Sequence, residues 1–180
     1  MGYSKTEIDD IQARWKLRFP PDLVELLLEH RSLFSGPGSF DWVLSDPAEI
    51  QQRLDWPFEG FSFDVQHNQA WWPEWGAKPN DFAEQQRRLS EVFAQIPKLI
   101  PLFAHRYLPE EPCERGNPVF SVYQTDIIYY GADLADYIER ERHNDRYVTK
   151  PWPPIKKIRF WSEAVKRNDP NGQFLLKPGS

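Results

Sequence analysis

The sequence predicts a single domain in which α-helices combine with antiparallel β-strands. The chain has 180 residues, which is enough to bury one hydrophobic core. Ser4 and Glu7 form a capping-box pattern ahead of apolar residues at helical spacing. Two runs of β-branched and aromatic residues, Pro118 to Gln124 and Ile127 to Tyr130, are typical of the two strands of a hairpin.

Three helices are predicted in the N-terminal third of the chain. The first runs from Lys5 to Leu17 and the second opens at Pro20-Pro21, where a proline in the first turn costs little. The third begins at Asp46-Pro47. Because proline interrupts a helix interior, we expect the third helix to end at Trp56-Pro57.

The middle of the chain predicts strands on either side of a helix. The alternation in "FSFDV" indicates a strand from Phe61 to Val65. An aromatic loop, "WWPEWGAKP", follows, and apolar spacing then favours a helix from Asn80 to Gln95. The segment "LIPLFAHRYL" predicts a strand interrupted by Pro101, so we expect an edge position or a bulge there.

After the hairpin the sequence predicts two helices and an extended segment. Asp133 is a cap for a helix, and Ser162 is a cap for a short last helix. Between them, Ile158 to Phe160 is predicted as an edge strand. The domain is expected to cover residues 1–168, with a frayed polar tail at 169–180.

Charge and cysteine content narrow the class of protein. The formal net charge is -5 and no basic stripe is present, which argues against direct nucleic-acid binding and favours a basic partner. Cys113 is the only cysteine, so a disulfide framework is excluded and a cytoplasmic, reducing location is expected. No apolar run reaches membrane-spanning length, so no membrane contact is expected.

Asp126 is the one acid inside the apolar stretch "GNPVFSVYQTDIIYYG". An isolated acid between two strands is most often a turn residue that bonds to its own backbone. No second carboxylate stands at a spacing that would make an acid/base pair. The two runs lack clean alternation, which indicates burial on both faces and a place in the middle of a sheet. Asp126 is therefore predicted to hold a turn rather than to act in catalysis.

Other catalytic and metal-binding patterns are weak. The four histidines show no ligand spacing, so no metal and no cofactor is predicted. Cys113 and His105 could act as a nucleophile and its base only if the Cys113 thiol ionised readily. Three glutamates close to Cys113 in sequence are expected to disfavour the ionisation of this thiol. An enzyme that uses His105, Asp126 or Cys113 is the weakest of the functional classes, and no catalytic residue is predicted.

Tryptophans at positions 71, 72 and 75 are the most unusual feature of the sequence. They either fill the core between sheet and helix or form a rigid platform for a partner, and the sequence leaves both readings open. On the second reading, the aromatic rings anchor a protein partner and acids at the rim speed its association. The predicted partner-contact residues are Asp64, His67, Trp71, Trp72, Glu74, Trp75 and Asp81.

Three segments in order, "HNQAWWPEWGAKP", "LIPLFAHRYLPEEP" and "GNPVFSVYQTDIIYYGADLADYI", resemble a bacterial branch of the SUKH superfamily. This superfamily is named after the yeast cell-wall-assembly regulator domain. The segments "RFPPDLVELLLEH" and "IRFWSEAV" also fit its pattern. The resemblance covers roughly residues 17–165, nearly the whole chain.

The resemblance implies a single α+β domain with a curved, mostly antiparallel sheet and helices packed against it. Many members of the superfamily are immunity proteins that bind and neutralise a polymorphic toxin, often a nuclease. Others are regulatory or scaffold modules. The superfamily has no established catalytic residues to transfer. We therefore expect a non-enzymatic binding module, either an immunity protein or a cytosolic regulator of the cell-wall-assembly type.

Overall fold

The computed structural model describes residues 2–143 and 152–170, and in this part of the chain helices surround one β-sheet. The helices are α1 (Lys5–Trp15), α2 (Pro21–Glu29), α3 (Pro47–His67), α4 (Phe82–Phe93), α5 (Leu134–Arg142) and α6 (Trp161–Asn168), with a 3-10 turn at Pro73–Trp75. The strands are β1 (Leu99–Phe103), β2 (Arg106–Pro109), β3 (Val119–Tyr123) and β4 (Asp126–Gly131). They form an antiparallel sheet of order β1-β2-β3-β4. The predicted α+β class is confirmed.

The sheet is buried on both faces because successive strand residues point to opposite sides. One face packs against α1, α2, α5 and the first half of α3, and the other packs against the second half of α3, α4 and α6. Strand residues on the first face are Ile100, Leu102, Leu108 and Val119. Strand residues on the second face are Leu99, Tyr107, Phe120, Val122 and Ile127.

The predicted hairpin is present as β3 and β4, with Gln124 and Thr125 between the strands. Its inner residues Val119, Phe120, Val122 and Ile127 are 0% exposed. The prediction that the hairpin lies in the middle of the sheet is only half right, because β3 is an inner strand and β4 is the last one.

Helix α6 covers part of the open edge of β4. The side-chain amide of Asn168 donates to the carbonyls of Thr125 and Ile127, at 2.8 and 3.2 Å. These carbonyls would otherwise offer an edge to which another strand could pair.

The segment predicted as one interrupted strand is two strands joined by Ala104 and His105. Ala104 takes the left-handed conformation, with φ of 46°, that such a short turn needs. Pro101 lies on β1, the outer strand, and the register of the β1–β2 pair shifts between Pro101 and Phe103. The expectation of an edge position or a bulge at Pro101 is therefore confirmed.

Helix α3 is longer than the sequence predicts. It continues through Pro57 to His67, so the predicted helix end at Pro57 and the predicted strand at Phe61 to Val65 are both wrong. The apolar residues Leu54, Phe58, Phe61 and Val65 follow a helical i, i+4, i+7, i+11 pattern across the proline. The alternation in "FSFDV" arises because Phe63 points outward between two inward residues.

A hydrogen bond from β2 allows α3 to pass Pro57. Pro57 has no N–H, so the carbonyl of Arg53 loses its partner within the helix. The Tyr107 hydroxyl donates to this carbonyl at 2.8 Å, and the Tyr107 side chain is otherwise buried. Burial of this hydroxyl raises the pKa of Tyr107 above its ordinary value, so the donor keeps its proton across the physiological range.

The C-terminal predictions need correction. Residues 158–160 form no strand, and α6 begins at Trp161 with Phe160 in the cap position. Ser162 lies inside the first turn, where its hydroxyl accepts from the Ile158 N–H at 2.8 Å. Of the predicted frayed tail, only Asp169 and Pro170 fall among the described residues.

We expect Tyr107→Phe to lower the free energy of unfolding by about 1–3 kcal/mol, because the partly buried Arg53 carbonyl loses its partner. The matched background is Pro57→Ala, in which the restored N–H can satisfy the Arg53 carbonyl within the helix. In that background Tyr107→Phe should cost much less. Urea denaturation of the four proteins in this double-mutant cycle measures the difference. Equal costs in both backgrounds would show that the hydroxyl does not compensate for the proline.

Candidate partner-binding surface

Two contacts fix the middle of α3 against the end of the β3–β4 hairpin. The Trp56 indole N–H donates to the carbonyl of Val122 at 3.0 Å. The register of the β2–β3 pair ends at Arg106 and Ser121, and the Val122 N–H donates to the carbonyl of His105 just before β2. The indole of Trp56 supplies the donor for the Val122 carbonyl. One helical turn later, a Cβ on Gly60 would lie 2.8 Å from Cα of Gln124. The helix and the turn are therefore in direct backbone contact, which only glycine allows.

Asp64 makes the third contact and anchors the turn between β3 and β4. Its carboxylate accepts from the backbone N–H of Thr125 at 2.9 Å and from the Thr125 hydroxyl at 2.6 Å. Asp64 is only 4% exposed. The prediction that Asp64 is a rim acid of the binding surface is therefore wrong, because its carboxylate is enclosed and already bonded.

Asp126 does not hold the turn with its side chain. It is exposed, it is the first residue of β4, and its carboxylate bonds to no other group in the part of the chain that the structure describes. The role predicted for Asp126 belongs to Asp64, which lies 61 residues earlier than Thr125.

The side of α3 next to this turn carries a row of aromatic rings, in which Trp56 is half-buried and the rings further along are exposed. Trp56, Gly60, Phe63 and His67 share one helical face, and the Trp56 ring lies 6.1 Å from the ring of Tyr123. The rings of Phe63 and His67 are 4.5 Å apart. Phe63 is 46% exposed and Tyr123 is 55% exposed. We call Trp56, Phe63, His67 and Tyr123 the aromatic strip; from Trp56 to Phe63 it covers about 10 Å of helix.

The tryptophan loop, residues 71–76, packs mostly into the interior. Trp75 is 6% exposed and stacks on Trp72 at 4.9 Å. Trp72 also lies 4.9 Å from Phe160, and Trp71 donates its indole N–H to the Gly76 carbonyl at 2.8 Å. Trp75 cannot be a surface anchor, and Trp71 and Trp72 are half-buried. The core interpretation of the loop therefore holds for most of its aromatic area.

The remaining predicted rim acids are exposed and have structural contacts. Glu74 accepts from Arg167 at 2.6 Å. A backbone hydrogen bond, followed by Arg167, holds the pKa of Glu74 below its usual value. Asp81 caps α4 by accepting from the Glu84 N–H at 3.0 Å. Among the predicted contact residues, His67 is the one that lies on the aromatic strip.

The weaker catalytic candidates lie in separate loops. His105 is half-buried in the β1–β2 turn, where burial and then Arg106 lower its pKa to about 4. Cys113 is exposed, with Sγ 3.6 Å from the Phe19 carbonyl. No contact joins Cys113 to His105 within the described residues, and no group of three acidic, histidine or cysteine side chains there could hold a metal ion.

Cations as well as the predicted glutamates surround Cys113. An open cleft beside the thiol is lined by Arg18, Lys157 and Arg159 together with Glu111. Cys113 therefore has positive charge close to it in addition to the acidic residues of its own loop, and this charge comes from residues distant in sequence.

The sequence interpretation missed Trp56, Phe63 and Tyr123 as surface residues. A helical pattern continued from Leu54 to Val65 would have placed Trp56 and Phe63 on the opposite, outer face. Tyr123 carries no such signal, because its exposure depends on β2 ending before the tip of β3.

No family model matches the chain, and neither the curated proteins nor the solved structures contain a match. Membership in the SUKH superfamily thus stays a prediction. In the ranges 2–143 and 152–170, no helix combines the length and apolar character needed to cross a bilayer.

We expect Asp64→Asn to lower the free energy of unfolding by about 1–3 kcal/mol. One carboxylate oxygen of Asp64 accepts from Thr125 and the other accepts from the Asn68 side-chain amide, and an asparagine has only one acceptor oxygen for these two roles. Asp126→Asn is the matched control, and should change stability by less than about 0.5 kcal/mol. Urea denaturation of both variants tests this assignment. A larger loss for Asp126→Asn than for Asp64→Asn would reverse the roles.

The depressed pKa of His105 predicts a pH effect on stability. Below the unfolded pKa of 6.5, His105 becomes protonated in the unfolded chain. In the folded protein it stays neutral until about pH 4. His105 thus makes the folded state less stable as pH falls from 6.5 to 4. We expect His105→Gln to reduce the decline in melting temperature over this window. Identical slopes for parent and His105→Gln would contradict the assignment.

Proposed function

We propose that this protein is a non-enzymatic protein-binding module and that the aromatic strip is its contact surface. The observation that carries the proposal is the exposure of Phe63 and Tyr123 beside a helix and a turn that are locked together. Aromatic residues dominate the energetics of protein interfaces because each ring buries a large area.

Fixed backbone beneath the strip favours binding. Tyr123 is the last residue of β3, and the residue before it, Val122, accepts a hydrogen bond from Trp56. Phe63 directly precedes Asp64, whose carboxylate is bonded to the β3–β4 turn. Little backbone freedom is left to lose when a partner covers these rings, so more of the contact energy contributes to affinity.

The proposed biological role is that of a cytoplasmic immunity protein that neutralises a polymorphic toxin such as a nuclease. Its support is the resemblance of the three quoted segments to the SUKH superfamily, together with a net charge of -5 that suits a basic partner. Such a protein would act by covering the toxin's active site. A regulatory or scaffold protein of the cell-wall-assembly-regulator type would use the same surface on a different partner.

The test starts from the protein encoded beside this gene, produced with and without the present chain. If the proposal is right, that neighbour inhibits growth alone, and co-expression of this chain restores growth. A neighbour that binds but is harmless would favour the regulatory role. If neither this neighbour nor any protein captured from the native host binds the purified chain, the binding function is wrong.

With the partner in hand, Tyr123→Ala and Phe63→Ala should each weaken binding by about 2 kcal/mol, close to thirtyfold in Kd, because each removes an anchor ring. Leu44→Ala is the control, since Leu44 is apolar and 78% exposed but lies outside the strip. Its Kd should change less than about twofold. Calorimetric titration gives the affinities, and thermal melts confirm that each variant is folded. Unchanged affinity for both ring variants would place the interface elsewhere.

A further inference from the structure

We infer that the aromatic strip recognises an arginine- or lysine-bearing segment of its protein partner, with the cation over the ring of Tyr123 or Phe63 and beside Glu59 and Asp126. This inference rests on the proposed binding function and adds the chemistry of the partner. It follows from the charges around the strip and from the way other cations of this protein meet aromatic rings.

Two acids without partners flank the exposed rings. Asp126 stands opposite Tyr123 in the hairpin register, so the two side chains share one face of the sheet. Glu59 is exposed and lies one helical turn before Phe63 on α3, so the two side chains are neighbours on the helix surface. Within the described residues, neither carboxylate accepts a hydrogen bond or forms an ion pair. Their charges are thus free to attract a cation.

Elsewhere in the molecule, an arginine over an aromatic ring is repeatedly paired with a carboxylate. Arg31 lies 4.3 Å from the Tyr3 ring centre and pairs with Asp41. The same arrangement is made by Arg167 over Trp72 with Glu74, by Arg106 over Tyr130 with Glu141, and by Arg53 over Phe40 with Glu49. A ring face attracts a cation electrostatically and a carboxylate adds a charge-assisted bond.

The strip presents the same two components, ring and carboxylate, with no arginine of the described chain over either exposed ring. Tyr123 with Asp126 supplies one such pair. A basic segment of a partner would complete it. An acidic or purely apolar partner would leave the two carboxylates facing like charge or losing their water without compensation, which is unfavourable.

The experiment uses acetyl-hexaarginine amide as the probe and acetyl-hexaglutamate amide as its opposite, titrated into the isotope-labelled full chain and followed by NMR. Hexaarginine should shift the indole N–H of Trp56 and the amides of Glu59, Phe63, Tyr123 and Asp126, and hexaglutamate should not. The double variant Glu59→Gln/Asp126→Asn should weaken hexaarginine binding about fivefold.

Asp9→Asn/Asp10→Asn is the control, because it removes the same charge from exposed positions on α1. It should leave binding at the strip unchanged. Shifts spread over other acidic surfaces, or equal weakening by both double variants, would overturn the inference.

The protein partner separates this inference from the proposed function. If the partner binds and Tyr123→Ala weakens it, while Glu59→Gln/Asp126→Asn changes neither affinity nor its salt dependence, cation recognition is wrong and the binding function stands. If hexaarginine titrates the strip but no protein partner binds, cation recognition stands and the proposed function is wrong.

Discussion

The hydrogen bond from the Tyr107 hydroxyl to the Arg53 carbonyl lets α3 continue past its proline, and the position of the β3–β4 turn depends on that continuation. This bond gives a partner to the carbonyl that loses its helical N–H donor because residue 57 is proline. Helix α3 therefore continues for ten residues beyond the proline. That second half of the helix carries Gly60, which touches the hairpin tip, and Asp64, which anchors it. A helix that ended at Trp56 would leave the turn unsupported and the exposed rings without a common face.

The two aromatic regions have different roles because their backbones meet different neighbours. The tryptophan loop follows α3 and folds back over Phe61, so Trp75 packs on this ring, and the 3-10 turn that holds Trp75 lies against α4. Phe63 lies on the far side of the same helix, where nothing in the described chain covers it fully. In this protein the tryptophan-rich segment therefore belongs mostly to the core. The candidate binding surface is formed by aromatic residues that stand singly in the sequence and are not covered by other parts of the described chain.

Elements with local signals could be predicted from the sequence. The capping pair Ser4 and Glu7 starts α1 as expected, and Asp133 caps α5. The β3–β4 hairpin was recognisable from its two apolar runs.

The errors occur where a distant residue decides the outcome. The continuation of α3 through Pro57 depends on Tyr107, 50 residues later. The β1–β2 turn places Ala104 in the left-handed conformation, which is usually signalled in a sequence by glycine or asparagine. The candidate surface depends on both the long helix and the short β2, so it could not be derived from either segment alone.

We expect α3 to run unbroken past Pro57 and to lie against the β3–β4 turn in solution. NMR of the labelled full chain tests it most directly through Cα chemical shifts of residues 58–66 and through the nuclear Overhauser effects of Gly60. An unbroken α3 should give helical shifts across this whole range and a cross-peak between the α-protons of Gly60 and Gln124. Extended shifts at residues 61–65, with no cross-peak from Gly60 to the turn, would contradict it.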